Sequence, residues 1–239
     1  MCQALPKEMW MDKRREDVLD APYFHVVFTV PQELNPLIYS NQQLLYDTLY
    51  HSVSATVNEL TADTKHLGAK VGYICVLHTW GSEMNFHPHI HVILLGGGLT
   101  ANNQWRDKGE EFFLPVKVLS KLFRGKYLDE LKILWEENKL QFHGSSVKYR
   151  NHYAFKELLN TCYEKDWIPH CKKTFNGAQS VINYLGKYTH RIAISNHRII
   201  RMDENTVTYY VKDYREKGKW KEFTISGVEF ILKGPVPHD

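Results

Sequence analysis

The segment His87-Pro88-His89-Ile90-His91-Val92-Ile93-Leu94-Leu95 constrains this chain more than any other. In an extended strand residues i and i+2 face the same way, so His89 and His91 project side by side while Ile90 and Val92 turn toward an apolar core. Two imidazoles at that spacing can hold one metal ion. His78 precedes His89 by ten intervening residues, and a hairpin turning within 81–88 would carry it across as a third ligand. Glu83, inside the expected turn, is the rival third ligand. Three histidines with coordination positions left open suit an ion that polarises a substrate oxygen. An H-x-H pair alone is commonplace surface decoration. Four histidines between positions 78 and 91, flanked by apolar runs, are not.

The rest of the chain supplies the frame for such a strand. Tyr23–Val30 is rich in β-branched and aromatic residues and stops at Pro31, which predicts a strand. Lys70–Trp80 and His89–Leu95 are two more, joined closely enough to pair as a hairpin, with Gly96-Gly97-Gly98 ending the second. Leu44, Leu45, Leu49, Val53, Val57 and Leu60 recur at helical spacing from Gln42 to about Leu67. A second helix is expected over 116–137 and a strand over 166–173. Asn176, with Gln179 three residues on, is placed to cap a helix running to about Thr189. Strands over 191–199, 206–212 and 221–226 complete the pattern. Helices and strands mix without regular alternation, which gives an α+β class.

Composition excludes several alternatives. With 239 residues, 43% hydrophobic and 24% charged, the chain is neither disordered nor fibrous. No apolar run reaches the roughly 20 residues of a membrane span, and residues 1–20 lack a signal-peptide core, so no membrane association and a cytoplasmic location are expected. The cysteines Cys2, Cys75, Cys162 and Cys171 form no C-x-x-C pair, which argues against both a disulfide framework and a self-contained zinc finger. A formal net charge of +3 permits nucleic-acid binding without demanding it.

A second constellation lies downstream. Tyr184 and Tyr188 stand at i and i+4, on one face of the expected helix. A phenolic hydroxyl can attack phosphorus if the developing charge is stabilised. Lys187, His190 and Arg191 are near enough in sequence to position DNA phosphates. On its own the pair reads more readily as packed aromatics than as nucleophiles, and only its combination with the histidines points to chemistry.

His89-Ile90-His91 followed by Tyr184-x-x-x-Tyr188 resembles the two-tyrosine HUH endonucleases, and more closely the rolling-circle transposases of the insertion sequence 91 family. The resembling stretches are 22–31, 66–81, 87–99, 114–128 and 184–198. The spacing of His78 ahead of His89-x-His91 also resembles the three-histidine site of conjugative relaxases, which favours His78 over Glu83. The resemblance implies an HUH endonuclease fold, a central antiparallel sheet of ferredoxin- or RRM-like type flanked by helices. It implies that Tyr184 or Tyr188 nicks single-stranded DNA or hairpin transposon ends, leaving a 5′-phosphotyrosine bond that is later rejoined. It also implies a divalent metal, Mg2+ or Mn2+, at His78, His89 and His91, whereas an all-imidazole set by itself suits zinc, manganese or a neighbouring transition metal.

That family carries a cysteine-rich zinc-binding module ahead of its core, and Met1-Cys2-Gln3 stands where such a module would end. Residues 1–21 are therefore expected to be a lead-in remnant of a linker, 22–228 the catalytic domain with a mostly helical insertion around 99–160, and 229–239 a truncated tail. The alternative readings are a replication initiator or relaxase with the same chemistry, or a non-catalytic remnant that binds single-stranded nucleic acid.

Overall fold

The computed structural model describes residues 9, 12–13, 16, 18–107, 114–167, 170–175, 180–181, 183–184, 186, 194, 196–213 and 218–233. They belong to two compact units, one of residues 1–77 and 89–189, the other of 78–88 and 190–239.

The larger unit is built on a sheet. Strands β1 (Tyr23–Thr29), β2 (Lys70–Trp80), β3 (Phe86–Leu99), β4 (Trp105–Asp107) and β5 (His170–Phe175) give the order β2-β3-β1-β5, with β4 on the far end of β3. β1 runs antiparallel to both neighbours, with Val27 opposite His91 and Thr29 opposite His89. Strand alternation then sorts the side chains. Phe24, Val26 and Phe28 share one face with Leu94, Val92 and Ile90, and all six are at most 2% exposed. Phe28 meets Phe123 edge-on at 5.0 Å, which places a helix against this face.

Phe123 belongs to α3 (Val116–Glu136), which packs along α2 (Gln42–Ala62); α1 (Asn35–Ser40) precedes them and α4 (His152–Glu164) follows. α2 buries Leu45, Leu49, Val53, Val57 and Leu60, the apolar series that the sequence shows. It stops at Ala62, short of Leu67, because Asp63 leaves the helix with φ −65° and ψ 124°. The Asp63 carboxylate accepts the Lys65 N–H, and its carbonyl gathers those of His66, Leu67 and Gly68. A local turn thus outcompetes another helical turn.

Four further expectations shift. The glycine triplet does not end β3, which continues through it to Leu99. The Gly96 N–H donates to the Pro22 carbonyl at 2.7 Å, and a Cβ on Gly98 would land on the Lys70 carbonyl oxygen. These glycines allow close neighbours rather than a turn. The strand expected over 166–173 forms later, at 170–175. Residues 191–193 and 195 of the strand expected over 191–199 lie outside the described residues; of the rest, Asn196–Arg198 form a 3-10 turn and Ile199 opens a strand. Finally, α4 begins inside the mostly helical insertion expected around 99–160 but runs past its end to Glu164, starting where the Asn151 side chain accepts the Tyr153 and Ala154 N–H groups as an N-cap.

The smaller unit holds a second antiparallel sheet of β6 (Ile199–Met202), β7 (Thr206–Asp213) and β8 (Lys219–Ser226), followed by α5 (Gly227–Lys233). Val207, Tyr209, Val211 and Ile225 form its core with Met84, and Phe223 and Phe230 pack against them. No helix among the described residues is long and apolar enough to cross a membrane.

Candidate active site

The sheet face opposite α2 and α3 carries the candidate site residues. Register puts Tyr23, His25, Val27 and Thr29 of β1 on this face with Leu95, Ile93, His91 and His89 of β3. At one end Tyr23, Ile93 and Leu95 form an apolar patch with Val181, against which Ile74 and Tyr184 pack. Ser180, Val181, Asn183, Tyr184 and Gly186 are helical, and Val181 and Tyr184, three apart, turn to the sheet together. The Tyr23 hydroxyl accepts the Leu19 N–H at 3.0 Å, and burial raises its pKa. At the other end the apolar residues give way to imidazoles.

His91 and His25 stack with ring planes 2° apart and centroids 5.0 Å apart, and His91 Nδ1 lies 2.8 Å from His25 Nε2. His91 Nε2 lies 3.1 Å from His89 Nε2, the side-by-side placement that the i, i+2 spacing requires. The Tyr184 hydroxyl sits 2.6 Å from His25 Nε2 and 3.0 Å from its Nδ1. A neutral imidazole nitrogen offers one lone pair, so His25 Nε2 accepts from His91 or from Tyr184 but does not serve both fully. When His91 turns Nε2 as a lone pair toward a cation, its Nδ1 carries the proton and donates to His25 Nε2. His25 then holds its own proton on Nδ1 and donates it to the Tyr184 oxygen.

Each ring nitrogen set of His78, His89 and His91 contributes an atom within 4.8 Å of the others. Imidazole nitrogens bound to one ion at about 2.1 Å stand roughly 3–4 Å apart, so the trio needs little adjustment to hold one. His78 is 3% exposed and stacks on Trp80 at 5.3 Å. The strand leading to it is pinned by the Tyr50 hydroxyl, which accepts the Leu77 N–H at 3.1 Å. Burial lowers the pKa of His87. Glu83, the rival ligand, is not part of the trio; its carbonyl instead accepts the Tyr209 hydroxyl at 3.1 Å.

Tyr188, Lys187, His190 and Arg191 lie outside the described residues. His25 is the member the sequence reading missed. Its signal was present: an imidazole at a position alternating with the buried Phe24, Val26 and Phe28.

A family model described as "Putative transposase" matches residues 72–234, which include all three histidines of the trio and Tyr184. The chain belongs to this transposase family. The resemblance to the insertion sequence 91 family is thereby borne out, and a "Transposase zinc-binding domain" model matches residues 1–30, reaching through β1. "Putative transposase y4qJ" of Sinorhizobium fredii (strain NBRC 101917 / NGR234) is 39% identical over 97% of this chain and 58% of that protein. "Transposase for insertion sequence element IS801" of Pseudomonas savastanoi pv. phaseolicola is 25% identical over 97% of the chain and 56% of that protein. The chain thus spans a little over half the length of these relatives. Among solved structures it is similar to the conjugative relaxase TrwC in complex with oriT DNA. The metal-free form has 15% identity and a TM-score of 0.37, covering 72% of this chain and 73% of that one. The copper-bound form has 15% identity and a TM-score of 0.37, covering 69% and 68%.

Proposed function

We propose that this transposase-family chain nicks and rejoins single-stranded DNA through a tyrosine on an HUH-type site. The observation that carries the reading is the Tyr184 hydroxyl, held by His25, whose own partner is His91 of the metal-ligand trio. A nucleophile thus stands one imidazole away from residues suited to a cation.

In the proposed step the Tyr184 oxygen attacks a backbone phosphorus, the phenol proton passes to solvent, and the P–O bond to the 3′ oxygen breaks. The 3′ oxygen takes a proton and leaves as a hydroxyl, and the 5′ phosphate stays on the tyrosine. Attack by a 3′-hydroxyl reverses the exchange and rejoins strands without ATP, because the bond is stored rather than hydrolysed. A divalent cation held by His78, His89 and His91, Mg2+ or Mn2+ by the resemblance, supplies charge neutralisation on the non-bridging oxygens. The donated hydrogen bond from His25 Nδ1 stabilises negative charge on the tyrosine oxygen when it departs. Tyr188, four residues on in sequence, is proposed as the second acceptor, and Lys187, His190 and Arg191 as phosphate contacts.

The test uses labelled single-stranded oligonucleotides covering candidate transposon ends, with Mn2+, and looks for an adduct that survives denaturing electrophoresis. Adduct with the wild type, loss in Tyr184→Phe with Tyr188→Phe, and mapping of the nucleotide to one of these tyrosines support the reading. An adduct that persists in the double variant overturns it. Calorimetry with manganese checks the trio separately: binding near one equivalent should vanish in His89→Ala.

A further inference from the structure

The smaller unit offers a surface that the nicking reading does not use. Alternation along β7 and β8 sends Val207, Tyr209, Val211, Phe223 and Ile225 inward to Met84 and Phe230. The other face carries Thr208, Tyr210 and Lys212 of β7 opposite Thr224, Glu222 and Trp220 of β8. Tyr210 is 40% exposed and Trp220 56%. Two large rings left in water on one sheet face cost free energy that a monomer of this unit does not recover.

Their neighbours say what would cover them. Lys212 Nζ lies 5.5 Å and Arg198 Cζ 5.9 Å from the centre of the Trp220 ring. The Arg198 guanidinium is fixed, donating to the Tyr210 carbonyl at 2.7 Å and the Ser82 carbonyl at 2.6 Å. Arg201, opposite Thr208 on β6, is exposed. Around the rings, Arg198 and Lys212 stand against Glu222, while Arg201, toward the other end of the face, has Asp203 beside it, whose carboxylate accepts the Thr206 hydroxyl. Threonines rather than aliphatic residues fill its middle, where the Thr208 and Thr224 hydroxyls bond at 2.9 Å and Thr208 is buried, so the open part of the face is the end that carries Tyr210 and Trp220. An apolar protein partner would be poorly matched. A polyanion with flat apolar rings is well matched.

We propose that this face is a stacking platform for unpaired bases of single-stranded DNA, with Trp220 and Tyr210 as the stacking rings, Lys212 and Arg201 drawing in the backbone, and the buried Arg198 holding Trp220 and the Tyr210 strand in place. Tyr210 and Trp220 are diagonal neighbours on adjacent strands, about 7–8 Å apart at their backbones. That is wider than the roughly 3.4 Å rise between stacked bases along a duplex strand, so the face suits splayed, unpaired bases. The occupant class rests on the reading of the chain as a DNA-processing protein, while the platform is independent of the tyrosine chemistry.

The experiment is fluorescence anisotropy of a labelled single-stranded oligothymidylate with the full chain, in EDTA so that no nicking intervenes. Trp220→Ala should weaken binding about 5- to 150-fold, the span expected for one lost stacked base. Trp220→Phe should restore most of it, Glu222→Gln should tighten it, and Lys212→Ala should reduce the slope of log affinity against log salt by about 0.7. The matching duplex should bind more weakly than the single strand. Wild-type affinity in both Trp220→Ala and Tyr210→Ala overturns the platform. So does a change confined to self-association in sedimentation, which would make the face an interface between copies. Adduct assays on the same variants separate the two proposals. Adduct formation with binding indifferent to Trp220 and Tyr210 sinks the platform alone, and Trp220-dependent binding with no adduct sinks the nicking reading alone.

Discussion

The hydroxyl of Tyr184 lies 2.6 Å from Nε2 of His25, across 159 positions of sequence. His25 is in turn 2.8 Å from His91, so one imidazole joins the tyrosine to the histidine trio proposed to hold the cation. A residue that hydrogen-bonds a ligand in this way sets its orientation and tautomer, and such partners are worth about 10- to 100-fold in affinity or rate when removed. His25→Ala should therefore weaken manganese binding and slow adduct formation, each by about that factor. His25→Asn, which keeps a donor and an acceptor, should recover part of both. Unchanged manganese affinity together with an unchanged adduct rate in His25→Ala would reduce the contact to packing.

The glycines of β3 and α3 should respond oppositely to the same methyl group. A Cβ on Gly98 meets the Lys70 carbonyl oxygen, a backbone atom that cannot swing aside, whereas a Cβ on Gly125 in α3 meets nothing within 4 Å. Gly98→Ala should cost about 1–3 kcal/mol from forced backbone shifts. Gly125→Ala should add about 0.5–1 kcal/mol, since alanine loses less backbone freedom in a helix. For a chain of this size each kcal/mol moves the melting temperature by roughly 2–4 °C, so a thermal scan shows both signs.

Tyr127 sits fully buried in α3 between Phe123 and Trp167, and its hydroxyl has no hydrogen-bond partner among the described residues. Burial raises its pKa far above the usual phenol range. An enclosed hydroxyl without a partner costs about 1–3 kcal/mol of desolvation. Tyr127→Phe keeps the ring and removes that cost, so it should stabilise the chain by about 1 kcal/mol in chemical denaturation. A destabilised phenylalanine variant would mean that the hydroxyl has a partner after all.

Much of this architecture was legible because it follows one-dimensional periodicity. The apolar series Leu45 to Leu60 marked α2, and the alternation around His89 and His91 put both imidazoles on one face before any tertiary contact was known. What escaped depends on neighbours distant in sequence. His25 gains its meaning only when Tyr184 is brought over β1. Gly96–Gly98 look like a turn until Pro22 and Lys70 are seen pressing on them. The Asn196–Arg198 turn exists where the Arg198 guanidinium reaches the carbonyls of Tyr210 and Ser82, a tie that strand propensity over 191–199 does not reveal.

The link between Glu33 and Lys165 gives a pH dependence with a definite sign. Lys165 Nζ donates to Glu33 Oε1 and joins the segment after β1 to the end of α4. That hydrogen bond is the main reason the Glu33 carboxyl is held below its ordinary pKa, with burial opposing it. A carboxylate depressed in the folded state stabilises the fold fully above its unfolded value of about 4.3 and loses that contribution as pH falls through the folded value. The Lys165 side chain is 45% exposed, so solvent screens the pair and its worth is below about 1 kcal/mol. Lys165→Gln should therefore be slightly less stable than wild type at pH 7, with a gap that is constant down to about pH 5 and narrows below about pH 4. Denaturant titrations at several pH values read this directly. A gap that widens on acidification would mean that the carboxylate, not the pair, is strained in the fold.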